Sequence, residues 1–150
     1  MGAVVHRPAT LGDAALLFEV RRRSILALAP PVMSIADAEA WAGRLTLSGM
    51  EQKLRDLEIW MAEREGAVAG WGGIRDDTLE ALYTAPEYAG QGVGAALLDR
   101  LEGLMRERGV AAVHAEASPN ALNFYLRRGY RVTSPQTSKG AWPIARQFPA

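Results

Sequence analysis

The spacing of apolar and polar residues divides the chain into a helical first third and a later section in which strands and helices alternate. Residues 4–7 are predicted to form a short strand. Thr10 and Asp13 then have capping-box spacing, and apolar residues recur at helical intervals over residues 11–28 until Pro30 and Pro31. The pattern therefore predicts an opening strand followed by a long helix that ends at the two prolines.

Two further helices are predicted from polar start signals. Ser34 with Asp37 precedes a helical pattern at residues 36–45, and Ser48 with Glu51 precedes a second one at residues 52–57. The first third is therefore expected to be helical apart from its opening strand.

The apolar period then changes to that of strands. Residues 57–65 and 67–75 flank Gly66 and predict a hairpin, and residues 78–85 predict a third strand after the polar turn at Asp76 and Asp77. Short connections of this kind join antiparallel strands.

The last third alternates between helices and strands. Gly109 and Gly129 mark two helix ends, and prolines bound the last strand, which makes it the least regular. The predicted elements are a helix at 92–108, a strand at 110–117, a helix at 119–128, a strand at 130–134 and a strand at 143–148. Because a full helix separates the strands at 78–85 and 110–117, these two should run parallel, so we expect an α/β fold with a mixed sheet.

Composition limits the classes of function. The 150 residues fit a single domain, residues 1–150, and the absence of cysteine excludes a disulfide, a thiolate metal site and a cysteine nucleophile. Lys plus Arg and Asp plus Glu both number 17, which argues against a nucleic-acid partner. The start of the chain lacks the apolar core of a signal peptide, and no apolar run approaches the ~18 residues of a membrane helix. We therefore expect no membrane partner and a cytoplasmic location.

Three glycines, Gly90, Gly92 and Gly94, lie where a helix is about to begin. Glycine lets the backbone approach a ligand closely, and the first amides of a helix have no intrahelical partners, so the segment suits a phosphate or pyrophosphate. A tight turn or close packing against a strand is the alternative, and it stays open on spacing alone. A P-loop is disfavoured because no Gly-Lys-Ser/Thr follows the glycines. The dinucleotide-binding fingerprint is disfavoured because the glycines are spaced G-x-G-x-G.

A second motif follows the three glycines later in the chain. The run LYTAPEYAGQGVGAALL and, about 20 residues later, the run AEASPNALNFYLRRGYRV together resemble the GNAT superfamily of N-acetyltransferases. The resemblance implies a mostly antiparallel twisted sheet with a central splayed parallel strand pair, flanked by helices. It also implies acetyl-CoA as acetyl donor, an amine acceptor and no metal.

The resemblance assigns site residues one by one. It implies that main-chain groups of Leu82, Tyr83 and Thr84 face the pantetheine arm, and that the glycine segment binds the pyrophosphate. It places a catalytic tyrosine at Tyr125. Two departures from the family pattern bear on cofactor affinity: Ala89 replaces a usual Arg or Gln, and Ser118 replaces a common Asn. The remaining cofactor-binding residues are Gly90, Gln91, Gly92, Val93, Gly94, Ala95 and Asn120.

The chemistry requires a base and an acid. An amine with a pKa near ~10.4 must lose a proton before it attacks a thioester, and Glu80 and Glu116 are the two candidate bases. Glu80 has the strand parity of Leu82 and Thr84, and a solvated carboxylate is the alternative for both glutamates. Tyr125 would protonate the departing thiolate, or else serve only as a packed aromatic ring. Without cysteine, direct attack in a ternary complex is the simpler scheme.

Several conspicuous residues are expected to be structural. His114 is predicted to be a packed or hydrogen-bonded core histidine. Most of the run Arg21 to Arg23 is expected to be solvated, although one arginine could line an acceptor pocket. Trp41, Trp60 and Trp71 suit packing, and Trp142 is the least certain of the tryptophans to do so.

Two hypotheses of different class remain open at this point. The first is an N-acetyltransferase acting on a small-molecule, peptide or protein amine, with a homodimer compatible with the sequence. The second is a non-catalytic acyl-CoA-binding module that serves as a sensor or partner-binding subunit. Both use the glycine segment, and they differ in whether Tyr125 and the nearby carboxylates carry out chemistry.

Overall fold

In the computed structural model, which describes residues 2–149, seven strands form one sheet in the order β1-β2-β3-β4-β5-β7-β6. Their bounds are β1 Val4–Pro8, β2 Glu58–Arg64, β3 Ala67–Arg75, β4 Thr78–Thr84, β5 Ala112–Ala117, β6 Arg131–Val132 and β7 Trp142–Gln147. Every neighbouring pair is antiparallel except β4 and β5, which run parallel. The predicted mixed sheet and its parallel pair are confirmed.

Helices cover both faces of the sheet. Their bounds are α1 Ala14–Leu28, α2 Ile35–Ala42, α3 Leu47–Asp56, α4 Val93–Glu107 and α5 Leu122–Arg127. On one face, Leu17 of α1 and Met50 of α3 pack with the buried Trp71 of β3. On the other, Leu98 of α4 and Tyr125 of α5 share a core cluster with strands β5 and β7. None of the described helices is both long and apolar enough to cross a membrane.

Polar side chains begin two of the first three helices. The Ser34 hydroxyl accepts a hydrogen bond from the Asp37 amide at 3.0 Å, as the start signal predicts. For α3 the prediction is wrong: the Thr46 hydroxyl accepts from the Gly49 amide at 3.0 Å, so Ser48 lies inside the helix. Both Thr46 and Ser48 can cap a helix, and their spacing alone does not decide which residue starts it.

The parallel strands β4 and β5 meet at only one end. Within the described chain their pairing register joins Thr78 with His114, next to a 2.9 Å hydrogen bond from the His114 amide to the Asp77 carbonyl. Beyond that point β4 has no ladder partner on the side of β5. The strands therefore splay apart toward Thr84.

A bulge interrupts β4 just before this opening. Gly73 of β3 lies opposite Ala81, and the next residue, Ile74, lies opposite Leu79, which leaves Glu80 as an extra residue in β4. An extra residue reverses the alternation of side chains along a strand. The prediction that Glu80 shares a face with Leu82 is therefore wrong.

The segment after β5 is less helical than its sequence predicts. The amides of Ala121 and Leu122 donate to the Ser118 carbonyl at 3.0 and 3.1 Å, so residues 119–121 form a turn and α5 begins at Leu122. Ser118 is thus not the residue next to the helix start. The strand expected at residues 130–134 spans only Arg131–Val132, whereas β7 matches the expected final strand closely.

Candidate active site

Residues 89–92 form a turn that directly precedes α4, and we call it the glycine turn. Gly90 and Gly92 have φ of +75° and +84°, a conformation that side chains of L-residues rarely adopt. A Cβ atom at either position would meet nothing within 4 Å, so the backbone conformation requires these glycines and packing does not. The amides of the first turn of α4 consequently lie beside open space, next to the positive end of the helix dipole.

Gly94 has a different reason to lack a side chain. A Cβ atom there would lie 3.2 Å from Thr84 Oγ1 and 3.9 Å from Phe124 Cζ. The glycine therefore allows α4 to approach both β4 and α5. The turn conformation therefore accounts for Gly90 and Gly92, and close packing accounts for Gly94.

A cavity of about 610 Å³ runs from the glycine turn to the splayed strands, and we call it the glycine-turn cavity. Its wall includes all the residues that the sequence assigned to cofactor binding except Gln91: Leu82, Tyr83, Thr84, Ala89, Gly90, Gly92, Val93, Gly94, Ala95, Ser118 and Asn120. Tyr125 also lines it. Residues far apart in the sequence are thus brought to one space.

Gln91 points elsewhere. Its Oε1 atom accepts a 2.6 Å hydrogen bond from Arg64 Nη1, and its Nε2 atom donates to the Glu87 carbonyl at 3.2 Å. The side chain thereby ties the glycine turn to β2. Its contribution is to hold the loop in place.

A second cavity, of about 830 Å³, lies between α2 and the loop at residues 136–141, and we call it the lateral cavity. Glu80 and Glu116 line it, and both also line a small cleft of about 80 Å³ between the splayed strands, which we call the interstrand cleft. Tyr125 lines the interstrand cleft as well. Three residues line all three spaces: Trp41, Tyr83 and Ser118.

Tyr125 is almost fully buried, with 7% of its surface exposed. Its ring makes edge-on contacts with Phe124 and Tyr130, at centroid distances of 5.2 and 5.3 Å. Burial raises the pKa of the Tyr125 phenol, and the neighbouring Tyr83 and the charge of Glu102 raise it further. The hydroxyl is therefore protonated at neutral pH and has a proton to give.

A buried polar network behind Tyr125 was not anticipated from the sequence. Glu102 of α4 accepts a 2.6 Å hydrogen bond from the Tyr130 hydroxyl and pairs with Arg146 Nη1 at 2.8 Å. Burial and this hydrogen bond raise the pKa of Tyr130. In the sequence, the one feature that could have predicted this network is the position of Glu102 among apolar residues of the α4 pattern.

The two candidate bases differ in their surroundings. Glu80 accepts a hydrogen bond from Arg75 at 3.3 Å across a partly exposed surface. The Glu116 carboxylate has no hydrogen-bond or ion-pair partner among residues 2–149. Both face the lateral cavity, where an acceptor amine could approach.

The structure contradicts the prediction for His114 and confirms that most of the run Arg21 to Arg23 is solvated. His114 is not in the core: 56% of its side chain is exposed, and Nε2 lies 3.9 Å from Asp77 Oδ2. Arg21 is buried, whereas its neighbours Arg22 and Arg23 form exposed ion pairs with Glu19 and Glu87. Arg21 is buried and Arg22 and Arg23 are solvated because only the inner face of helix α1 packs against the sheet.

The tryptophans differ in position. Trp71 is in the core, as expected, and donates from Nε1 to the Leu17 carbonyl at 2.9 Å. Trp60 and Trp142 are half-buried at the edge of the other core cluster. Trp41 lines the cavities, so its position is not purely structural.

No group of three or more His, Asp or Glu side chains that could hold a metal ion occurs within residues 2–149. The arrangement offers main-chain amides, three phenols and the carboxylates of Glu80 and Glu116 around cavities that share lining residues. Such groups can bind a phosphorylated cofactor and move protons.

Comparisons with known proteins agree with this geometry. The family model of the GNAT acetyltransferase domain matches residues 29–143. A protein named as an uncharacterized N-acetyltransferase, YafP of Escherichia coli K12, is 26% identical over 133 residues, which cover 87% of this chain and 85% of YafP.

Solved structures share the fold over nearly the whole chain. A GCN5-related N-acetyltransferase from Rhodopseudomonas palustris superimposes with a TM-score of 0.90 at 26% identity, covering 99% of this chain and 98% of that one. The PaiA N-acetyltransferase of Thermoplasma acidophilum, solved in complex with coenzyme A, has a TM-score of 0.81 at 20% identity, covering 97% and 99%. The chain therefore belongs to the GNAT acetyltransferase family and is an acyl-CoA-dependent acetyltransferase.

Proposed function

We propose that this protein transfers an acetyl group from acetyl-CoA to the amine of a small molecule, peptide or protein, by direct attack in a ternary complex. The observation that carries the proposal is the meeting of the glycine-turn cavity and the lateral cavity at Trp41, Tyr83 and Ser118. A donor in one cavity and an acceptor in the other would bring their reacting atoms together there.

The cofactor would bind chiefly to main chain. The amides from Gly90 to Ala95 suit its pyrophosphate, because they stand at a helix N-terminus in a turn with no side chains in the way. The pantetheine arm would then run along Leu82 to Thr84, where β4 has no ladder partner on the β5 side. Ala89 contributes no charged side chain to this site.

Glu80 or Glu116 would accept the proton of the attacking amine, directly or through water. Both carboxylates line the lateral cavity and the interstrand cleft, so both would be within reach of an acceptor bound in the lateral cavity. An amine with a pKa near ~10.4 is almost wholly protonated at pH 7, so a base of this kind is needed.

Tyr125 would protonate the sulfur as coenzyme A departs. Its phenol lines the glycine-turn cavity and the interstrand cleft, and its raised pKa keeps it protonated until a thiolate forms beside it. Since the chain has no cysteine, an acyl-cysteine intermediate does not enter the scheme.

Ligand-induced stabilisation tests the cofactor. Acetyl-CoA or CoA at 100 times its dissociation constant should raise the free energy of unfolding by about 2.7 kcal/mol, measurable as a higher Tm, while ATP and NAD should act far less. Equal stabilisation by NAD would contradict the assignment.

Thiol release tests the transfer. A panel of small amines, amino acids and peptides, each supplied with acetyl-CoA, should contain acceptors that accelerate thiol release over the rate in buffer. Mass spectrometry of the product should show the acceptor heavier by one acetyl group. Binding of CoA without acceleration by any amine would instead support a non-catalytic acyl-CoA-binding role.

A further inference from the structure

Arg21 is a buried cation without an anionic partner. Only 6% of its surface is exposed. Its Nη1 atom donates to the Ala42 carbonyl at 3.0 Å and Nη2 donates to the Trp41 carbonyl at 3.2 Å. Among residues 2–149 it forms no ion pair with a carboxylate. Within the described residues its positive charge therefore faces only neutral groups, namely the carbonyls at the end of α2 and the Tyr83 phenol.

A cation in this state makes its surroundings electropositive. Removing a guanidinium from water costs free energy, and the carbonyl groups at a helix C-terminus, which carry about half a negative charge in total, offset part of that cost. The residual field acts on whatever lies next to the guanidinium. A reaction that develops negative charge there is favoured, because the field is already in place before the reaction starts.

The group next to Arg21 is Tyr83 of β4. The Arg21 guanidinium carbon lies 5.8 Å from the centre of the Tyr83 ring. The same ring packs against Trp71 and Trp41 at centroid distances of 5.2 and 6.5 Å. Burial raises the pKa of the Tyr83 phenol, and Arg21 acts in the opposite direction through its charge and a side-chain hydrogen bond. The phenol is thus fixed in place and polarised by one cation.

Tyr83 also has the position that the chemistry needs. It lines the glycine-turn cavity, the lateral cavity and the interstrand cleft, whereas Tyr125 lines only the first and last of these. The two glutamates line the lateral cavity and the cleft but not the glycine-turn cavity. The point where donor and acceptor would meet is therefore bordered by Tyr83.

We propose that Tyr83 is a second catalytic phenol, which donates a hydrogen bond to the acetyl carbonyl oxygen as that oxygen becomes negative, and that Arg21 is its positioning residue. This proposal rests on the proposed function. It gives the Tyr83 side chain a role beyond the main-chain contacts expected of this stretch of β4.

The amine nitrogen forms a bond to the acetyl carbon, the C=O π pair moves to oxygen, and the oxyanion accepts the Tyr83 hydrogen bond without taking the proton. When the oxyanion collapses, the C–S bond breaks and its electron pair goes to sulfur, which takes the proton of Tyr125. The ammonium form of the acceptor first gives one proton to Glu80 or Glu116, which passes it to solvent. The second N–H proton, released after the attack, goes to the same carboxylate and returns through water to the Tyr125 phenolate.

A non-reactive analogue tests the hydrogen bond without any acceptor. In S-acetonyl-CoA a CH₂ group separates sulfur from the carbonyl carbon, so the ketone cannot transfer its acyl group. We expect its C=O stretching frequency, measured by infrared difference spectroscopy with a ¹³C label, to fall on binding to the wild-type protein. The shift should be lost in Tyr83→Phe, which keeps the ring, and reduced in Arg21→Met. Arg22→Met, on the exposed face of the same helix, is the control and should retain the full shift.

Kinetics provide the second readout. Tyr83→Phe should lower kcat by about 100-fold, the usual effect of removing one oxyanion donor, with CoA affinity unchanged. Arg21→Met should lower kcat in the wild-type background and have little further effect in Tyr83→Phe, because it acts through that hydroxyl. A purely structural Arg21 would lower Tm equally in both backgrounds and leave the carbonyl frequency unchanged.

The outcomes separate this proposal from the proposed function. An analogue that binds with the same carbonyl frequency in wild type and Tyr83→Phe overturns the role of Tyr83, even if amines are acetylated normally. A shifted carbonyl together with no amine acetylation supports the hydrogen bond and contradicts the transfer. If neither the analogue nor CoA binds, both proposals fail.

Discussion

Two buried charges lie on opposite faces of the sheet, and they are balanced in different ways. Glu102, on the α4 face, is 4% exposed and is compensated by an ion pair with Arg146 and a hydrogen bond from Tyr130. Arg21, on the α1 face, is about equally buried, but its partners are the neutral Trp41 and Ala42 carbonyls and the Tyr83 phenol. One face therefore carries a closed polar network, and the other retains an unbalanced positive charge.

Each charge acts on a different phenol. Burial is the main cause that raises the pKa of Tyr125, and Tyr83 and the charge of Glu102 add to it, whereas Arg21 counteracts the effect of burial on the pKa of Tyr83. Residues of the same type on neighbouring elements thus have different electrostatic surroundings. In the proposed mechanism Tyr125 gives its proton to the departing sulfur, and Tyr83 donates a hydrogen bond to the developing oxyanion. The difference comes from the partners behind each ring.

The largest expected effect comes from opening the closed network. Glu102→Gln keeps the side-chain size but removes the charge that balances Arg146, so we expect the free energy of unfolding to fall by about 3 kcal/mol. Urea denaturation monitored by circular dichroism measures it. Glu107→Gln changes an exposed glutamate on the same helix and should shift stability by less than ~0.5 kcal/mol. Equal effects of the two variants would show that the network does not stabilise the fold.

A second change separates chemistry from packing on the Glu102 side. Tyr125→Phe keeps the edge-on ring contacts and removes the only proton that the side chain can donate, so kcat and kcat/KM should both fall by about 100-fold. CoA titration of both proteins should give equal dissociation constants. Full retention of kcat would leave Tyr125 a packing role only, and equal losses of affinity and kcat would make its hydroxyl a cofactor anchor.

A third substitution tests the proposed main-chain contacts to the cofactor and leaves the buried charges of Glu102 and Arg21 unchanged. Gly92→Val places a branched side chain at φ +84°, beside the open space of the cavity, and should weaken CoA binding about tenfold or more, equivalent to ~1.4 kcal/mol. Gly103→Ala is the matched control inside α4. A Cβ there meets nothing within 4 Å, so this variant should bind CoA normally and gain up to ~1 kcal/mol of stability from helix propensity. Normal CoA binding by Gly92→Val would place the pyrophosphate elsewhere.

The smallest effect concerns a paired charge on the Arg21 side of the molecule. Arg7 donates two hydrogen bonds to Asp13, and this pairing lowers the pKa of the Asp13 carboxyl to about 2. Since Arg7 is 38% exposed, Asp13→Asn should cost only about 1 kcal/mol at pH 7. The asparagine can still accept from the Thr10 amide, so the variant isolates the charge.

The pH dependence of this pair follows from the direction of its shift. An unfolded aspartate has a pKa near ~3.9, so the folded state binds the proton more weakly. The contribution of Asp13 is therefore fully present above about pH 5 and is lost as the pH falls toward 2. Urea denaturation of wild type and Asp13→Asn at pH 7, 4 and 2.5 should show a difference that shrinks in that order. A constant difference would exclude the ion pair as its source.

Local patterns in the sequence determined most of the elements and the identity of the family. The glycine turn, the Ser34 cap, the hairpin and the parallel strand pair all follow from signals within a few residues or from a single helical crossover. The two motifs at residues 82–98 and 115–132 carry the family resemblance, because close backbone approach and a phenol near a thioester need particular residue types at particular spacings.

Only the tertiary structure decided how the side chains face one another. The bulge at Glu80 arises from pairing with β3, and it turns that carboxylate into the lateral cavity against the parity of its own strand. Arg21 is buried and Arg22 is solvated because α1 packs on the sheet, a contact between residues far apart in the chain. Burial, strand register and the charge behind a phenol are properties of such long-range contacts. The roles proposed for Tyr83 and Tyr125 differ for that reason, although the sequence shows the same side chain at both positions.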